Sequence, residues 1–301
     1  MNLTRNERPF TKLARRLSPL AFLAVFGNAA ADHDPLDSAR VMFVGHSLIN
    51  QQIPAMMQEI ALSLGWGSSY MVQEIPGSPL GYNWLHCRAG TPETPSIRAC
   101  DELDTANPPF DVLVGTEANN PISGNYDFWE TPVALENFMS LLLSRDSDAQ
   151  SFIYTSWESL DYHADWLGAI EGELALFETI RDEAAALSIA RGQNGSVHVI
   201  PANLALRELI IRIENGDVPG LNTRTDIFLD QVHANSTGNY YLASVIFASI
   251  YKRSPIGAQS SFVPDALAQQ LQTIAWDVVS NYDEDIEPTT VPRPPIGLQA
   301  N

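Results

Sequence analysis

Short apolar runs alternate along this chain with longer stretches whose apolar residues recur at helical spacing. Residues 41–44, Val-Met-Phe-Val, form the first run. In residues 53–64, Ile53, Met56, Met57, Ile60, Ala61 and Leu64 fall on one face, which predicts a helix. Further strands are predicted at 70–73, 111–115, 151–155 and 196–200, and further helices at 133–143, 167–191, 202–215, 235–251 and 264–282. Pro201 stops the fifth strand and Gly216 ends the helix before it. Residues 76–109 are rich in Gly and Pro and read as loop.

Strands alternating with helices predict an α/β fold: a three-layer sandwich around a doubly wound, five-stranded parallel sheet of flavodoxin-like order. Ligands of such sheets sit beyond the carboxyl ends of the strands. Ser47 follows the first strand, residues 116–120 the third and residues 155–158 the fourth, so all three segments are expected on one edge.

The two ends differ from the middle. Arg5, Arg8, Lys12, Arg15 and Arg16 precede an apolar run over 17–26, and Ala29-Ala30-Ala31 follows. That order is the pattern of a secretory signal peptide over 1–31, cut before Asp32. The run is short for a bilayer span, so an uncleaved anchor is the weaker alternative. Arg15-Arg16 also hints at twin-arginine export. Residues 32–282 then form the folded domain, and 283–301 a Pro-rich, acidic tail read as disordered. Location outside the cytoplasm, secreted or periplasmic, is expected, with no stable membrane anchor after cleavage.

Charge narrows the partners. The formal net charge is −19. Losing residues 1–31 removes five basic residues and one acidic one, which takes it to −23. A nucleic-acid partner needs basic surface, so it is excluded as an expectation. Cys87 and Cys100 are the only cysteines. In an oxidising compartment they are expected to form a disulfide, the alternatives being two free thiols or a poor metal site. His86 and His198 have no partners at metal-ligand spacing, so no metal and no cofactor are expected.

Two short motifs carry candidate chemistry. Gly45-His46-Ser47 turns out of the first strand, and Asp230-Gln231-Val232-His233 precedes an apolar helix. Ser47 can act as nucleophile, His233 as its base and Asp230 as the group that orients the base. Alternatively Ser47 only caps the following helix, and Asp230 and His233 are a solvated loop pair.

The serine turn and the run Asp-Gln-Val-His-Ala-Asn-Ser-Thr-Gly-Asn-Tyr-Tyr-Leu-Ala from residue 230 resemble the first and last blocks of the SGNH/GDSL hydrolase superfamily. The middle residue departs, since His46 stands where the family usually has Asp. The resemblance implies a secreted serine esterase acting on O-acyl, often O-acetyl, groups of a carbohydrate or small ester, without a cofactor. It implies an oxyanion hole of the Ser47 N–H, a Gly N–H after the second strand (Gly77, with Gly81 second) and an Asn side chain after the third. Register puts Glu117 in that last slot, so Asn119 is the expected donor, and Glu117 and Asn120 are possible substrate contacts. Glu117 is a doubtful donor, because a neutral carboxyl needs burial and nothing in its neighbours predicts it. Trp157 and Glu158, with His163 and Trp166, are read as a possible sugar-binding rim or as ordinary loop packing. Two other readings remain: an acyltransferase using the same triad, and a noncatalytic glycan-binding module, which Glu117 favours.

Overall fold

The computed structural model describes residues 33–90, 95–118 and 129–282. The signal-peptide and tail readings lie outside them, as do Asn119 and Asn120. Strands β1 (Ser38–Gly45), β2 (Gly67–Glu74), β3 (Val112–Thr116), β4 (Gln150–Tyr154) and β5 (Val197–Ile200) form one sheet. Every pairing in it is parallel, in the order β2-β1-β3-β4-β5. This is the predicted doubly wound sheet.

The strands are apolar on both sides because both sides are covered. Val41, Phe43, Val112, Val114, Phe152 and Tyr154 face one core, packed by α1 (Gln52–Ser63), α6 (Ala202–Glu214), α7 (Ser236–Tyr251) and α8 (Asp265–Tyr282). Met42, Val44, Leu113, Ile153, Val197 and Val199 face the other. That core is closed by α2 (Leu80–Leu85), α3 (Ala99–Thr105), α4 (Thr131–Arg145) and much of α5 (Trp166–Ala190). α7 is buried along nearly its whole length, which explains why its sequence is apolar all round.

Helices α2 and α3 correct the loop reading of residues 76–109. They are six and seven residues long, too short to show a helical period or to stand alone. Contacts from elsewhere hold them. The buried Gln73 side chain on β2 donates to the Asn83 carbonyl of α2 and accepts from the Ala99 N–H of α3. The Cys87–Cys100 disulfide joins the segment after α2 to the start of α3, with both cysteines buried.

Sheet order creates the site. β1 pairs with β2 on one side and β3 on the other, so the chain's winding reverses at β1. The crevice beyond the carboxyl ends of β1 and β3 is the switch point where open α/β sheets bind ligands.

Candidate active site

Ser47 opens a short 3₁₀ turn, Ser47–Ile49, directly after β1. Glycine is required just before it: a Cβ on Gly45 would run into the Thr116 methyl on β3. The turn is tied by the Ile49 N–H to the His46 carbonyl, at 2.9 Å.

On the other side of the crevice, Phe228 and Ala234 make an isolated antiparallel bridge, and the Leu229 N–H donates to the His233 carbonyl at 2.8 Å. Residues 229–233 are thereby closed into a tight loop. The Asn235 side chain caps α7 by accepting from the Thr237 and Gly238 N–H groups. A side chain at Gly238 would strike the Ile227 carbonyl, so this glycine lets the helix start against the turn before it.

These two pieces bring the three sequence-derived residues together. Ser47 Oγ lies 3.0 Å from His233 Nε2, and His233 Nδ1 lies 2.8 Å from Asp230 Oδ2. Asp230 also uses its second oxygen: Oδ1 accepts from the Val232 N–H at 2.8 Å and the His233 N–H at 2.7 Å. Those bonds, the His233 N–H first, hold the carboxyl down at about 2. It is therefore ionised across the neutral range, and its fixed lone pair favours a proton on His233 Nδ1. Nε2 is then left with a lone pair facing the serine hydroxyl.

His46, which has no role in the motif reading, is buried and bridges two elements. Its Nε2–H donates to the Glu117 carbonyl at 2.9 Å, and its Nδ1 accepts the Leu48 N–H at 3.4 Å. Burial drives its pKa down to about 4, against the Glu117 bond and with help from nearby His233. A neutral imidazole thus ties the serine turn to the exit of β3 without placing a cation beside His233.

Glu117 turns away from the crevice. Its side chain is fully buried. Oε2 accepts from the Leu80 N–H at the start of α2 and, at 2.6 Å, from the Thr131 hydroxyl at the start of α4; Oε1 accepts from the Ala118 N–H. The reading of Glu117 as a substrate contact is corrected by these bonds. So is the expectation that nothing buries it: burial raises its pKa to about 7, although the three donors pull the other way, Thr131 first. A raised carboxyl favours the folded state fully below its ordinary value of about 4.5, and that stability is lost as pH rises through about 7. In Glu117→Gln, unfolding free energies from urea titration between pH 5 and pH 8 should change less than in the parent, by up to about 3 kcal/mol. An identical pH dependence in both proteins would refute this account of Glu117.

Gly77 sits at the third position of a tight turn whose Ser78 N–H returns to the Ile75 carbonyl at 3.2 Å. Its φ of +65° with Pro76 before it is the pattern of a type II turn. The Ile75 N–H donates to the Gly45 carbonyl, which fastens this turn beside the serine turn. Gly81 is different: a Cβ there would meet the Trp129 carbonyl, so that glycine serves helix packing.

Trp157 is 2% exposed and its Nε1–H donates to the Val232 carbonyl at 2.9 Å. Trp166 is equally buried and donates to the Glu158 carbonyl. Neither ring presents a face to a sugar, which corrects the rim reading. Trp157 instead braces the loop that carries His233. The same stretch holds a group that sequence spacing did not reveal: Glu158, His163 and Glu173, each with a potential ligand atom within 4.8 Å of the others. Burial, then the Glu158 charge, raises the Glu173 carboxyl to about 7.

No protein-family model matches the sequence, and no curated protein matches it. Solved structures do. A DUF4886 family protein from Bacteroides uniformis aligns at TM-score 0.56 and 16% identity, over 84% of this chain and 99% of that one. A family 3 carbohydrate esterase from Clostridium thermocellum aligns at 0.42 and 12%, over 70% and 94%. A GDSL-like lipase described for Parabacteroides merdae aligns at 0.43 and 13%, over 73% and 97%. The DUF4886 family structure shares the α/β fold built on this five-stranded parallel sheet. Against the superfamily pattern that the sequence resembles, two departures stand out: His46 stands where Asp is usual, and Glu117 falls in the slot of an amide donor. Both side chains are held by buried hydrogen bonds within the protein.

Proposed function

We propose that the protein is an exported serine esterase that removes O-acyl groups, chiefly O-acetyl, from a carbohydrate or small ester. The single observation that supports this is the hydroxyl–imidazole–carboxylate chain of Ser47, His233 and Asp230, with links of 3.0 and 2.8 Å, at the sheet's switch point. Nothing in a solvated loop pair requires a serine from 186 residues away at hydrogen-bond distance.

In the first half-reaction His233 Nε2 takes the Ser47 proton as Oγ attacks the ester carbon. The negative charge that develops on the carbonyl oxygen is held by N–H groups, for which Ser47 and Gly77 are the candidates and Asn119 the candidate third donor. The alcohol leaves with the proton from His233, and the acyl group stays on Oγ. Water then attacks the acyl-enzyme, His233 takes its proton, and collapse releases the acid and restores Ser47. Asp230 keeps the imidazole in place and favours its cationic form in both halves.

The carbohydrate substrate rests on resemblance to exported SGNH enzymes and not on the walls of the crevice. The noncatalytic reading leaned on Glu117 as a carboxylate facing the ligand, and it loses that support because the carboxyl is bonded to Leu80, Ala118 and Thr131. The test is release of acetate from an acetylated oligosaccharide and from a small aryl acetate by the purified protein. Acetate release from the sugar supports the full proposal. Cleavage of the aryl ester alone leaves the esterase and removes the substrate class, and cleavage of neither removes both.

Export rests on the order of basic, apolar and small residues in 1–31, with a disulfide and with no helix among the described residues long and apolar enough to cross a membrane. Mass spectrometry of the exported protein should begin at Asp32 or a near neighbour; an intact Met1 contradicts it.

A further inference from the structure

We propose that Glu158, His163 and Glu173 form a binding site for one divalent transition-metal cation of the Zn²⁺ class, separate from the serine site.

Glu158 and His163 lie on the loop between β4 and α5, and Glu173 lies on the second turn of α5. Glu173 is 2% exposed and has no hydrogen-bond partner among the described residues. Glu158 Oε2 and His163 Nε2 approach to 2.6 Å, yet they are not aligned for a hydrogen bond, so these two buried atoms also lack one. Neither carboxylate pairs with a Lys or Arg among the described residues. Two carboxyl groups and an imidazole thus converge: Glu158 Oε2 and His163 Nε2 make an ion pair without an aligned hydrogen bond, and the buried Glu173 has no bonded partner among the described residues. Buried polar atoms left in that state are costly, and an ion that accepts all three lone pairs satisfies them together.

The donor set selects the ion. Two carboxylates supply the charge that offsets a dication. The imidazole disfavours Ca²⁺ and Mg²⁺, which take oxygen ligands, and suits Zn²⁺. Zn²⁺ bonds of about 2.0–2.2 Å put neighbouring donor atoms about 3.3 Å apart in a tetrahedron. The 2.6 Å pair must open a little and Glu173 must close on it, both through side-chain rotation. The His163 side chain is 36% exposed, so the open side can take water as a fourth ligand.

The cation would fasten the loop to α5, and this loop supports the base. The Leu160 N–H donates to the Gln231 carbonyl at 2.7 Å and the Trp157 ring N–H to the Val232 carbonyl, on either side of a single peptide bond in the His233 loop. The site is therefore a positioning device for loop 229–233, and its binding is measurable without any ester.

The experiment uses full-length mature protein without a histidine tag, stripped with EDTA and dialysed, then titrated with ZnCl₂ by calorimetry, with CaCl₂ in parallel. The parent should bind one Zn²⁺ per chain, and its Tm should rise with Zn²⁺ concentration. His163→Gln and Glu173→Gln should each weaken binding at least about a hundredfold and lose the Tm response. His163→Gln changes a partly exposed loop residue, so it keeps the test open if Glu173→Gln folds poorly. His233→Ala should retain the Zn²⁺ site, which separates it from ion caught by the triad. No Zn²⁺ bound at up to about 0.1 mM, unchanged affinity in both Gln variants, loss of the site in His233→Ala, or Ca²⁺ held more tightly than Zn²⁺ would each overturn the proposal.

Discussion

Ser47→Ala should lose ester hydrolysis by on the order of a hundred-thousandfold or more while keeping the parent's fold and its unfolding free energy within about 1 kcal/mol. In the proposed mechanism Oγ is the atom that becomes acylated, so its removal ends the covalent route and leaves only what the oxyanion donors and binding can do with water. The fold should not notice. Ser47 is half-buried at the start of a 3₁₀ turn, and its Oγ bonds only to His233 among the described residues. The turn itself is held by His46, through the Glu117 carbonyl and the Leu48 N–H. His233→Ala should fall by a similar factor, and the double variant by little more than either alone, because the two residues act on one step. The check is steady-state hydrolysis of an aryl acetate beside thermal unfolding of the same samples. Activity retained in Ser47→Ala would refute the nucleophile assignment.

Asp230→Asn should lower kcat on the order of a thousandfold with a smaller change in KM. The carboxylate performs two tasks that an amide cannot combine. Oδ2 accepts from His233 Nδ1 while Oδ1 accepts from the Val232 and His233 N–H groups. If the amide oxygen keeps the ring, the NH₂ group faces two backbone donors and the loop must open. If the oxygen keeps the loop, the NH₂ group donates to Nδ1 and forces the ring proton onto Nε2, where it can no longer accept from Ser47. The effect is set below that of a buried triad because the Asp230 side chain is 56% exposed and water can stand in for part of its charge. Asp230→Ala should be milder in its tautomer effect but should loosen the loop, visible as faster amide exchange at Val232 and His233. A kcat for Asp230→Asn within tenfold of the parent would show that Asp230 does not orient the base.

The sheet was legible because parallel strands buried on both faces print themselves as unbroken apolar runs. Val41–Val44 and residues 111–115 and 151–155 needed no tertiary information. The edges were less clear: β2 runs Gly67–Glu74, and its first residues, Gly-Ser-Ser, carry no strand signal and are held by pairing with β1. Helices α2 and α3, six and seven residues long, are too short to print a period, although Leu80, Ala99 and Leu103 pack into the second core.

The candidate triad residues were legible for a different reason. Ser47, Asp230 and His233 lie in two short blocks whose residue types and spacing resemble known motifs. Residues that act through long-range contacts were not. Glu117, Trp157 and Trp166 look like surface groups in a polar loop sequence, and only packing shows that each points inward to a backbone partner. His46 departs from the family pattern, and its bridge to the β3 exit is visible only once β1 and β3 are neighbours. The Glu158, His163 and Glu173 cluster joins a loop to a helix turn ten residues beyond it, a spacing that has no motif.

The most direct test of the central claim is labelling of the mature protein with a serine-directed fluorophosphonate, followed by peptide mapping. The parent should take up one label, on the peptide containing Ser47. Ser47→Ala should take up none, and His233→Ala should label far more slowly because its hydroxyl has lost its base. No label on the folded parent, or a label on a serine other than Ser47, would contradict the account.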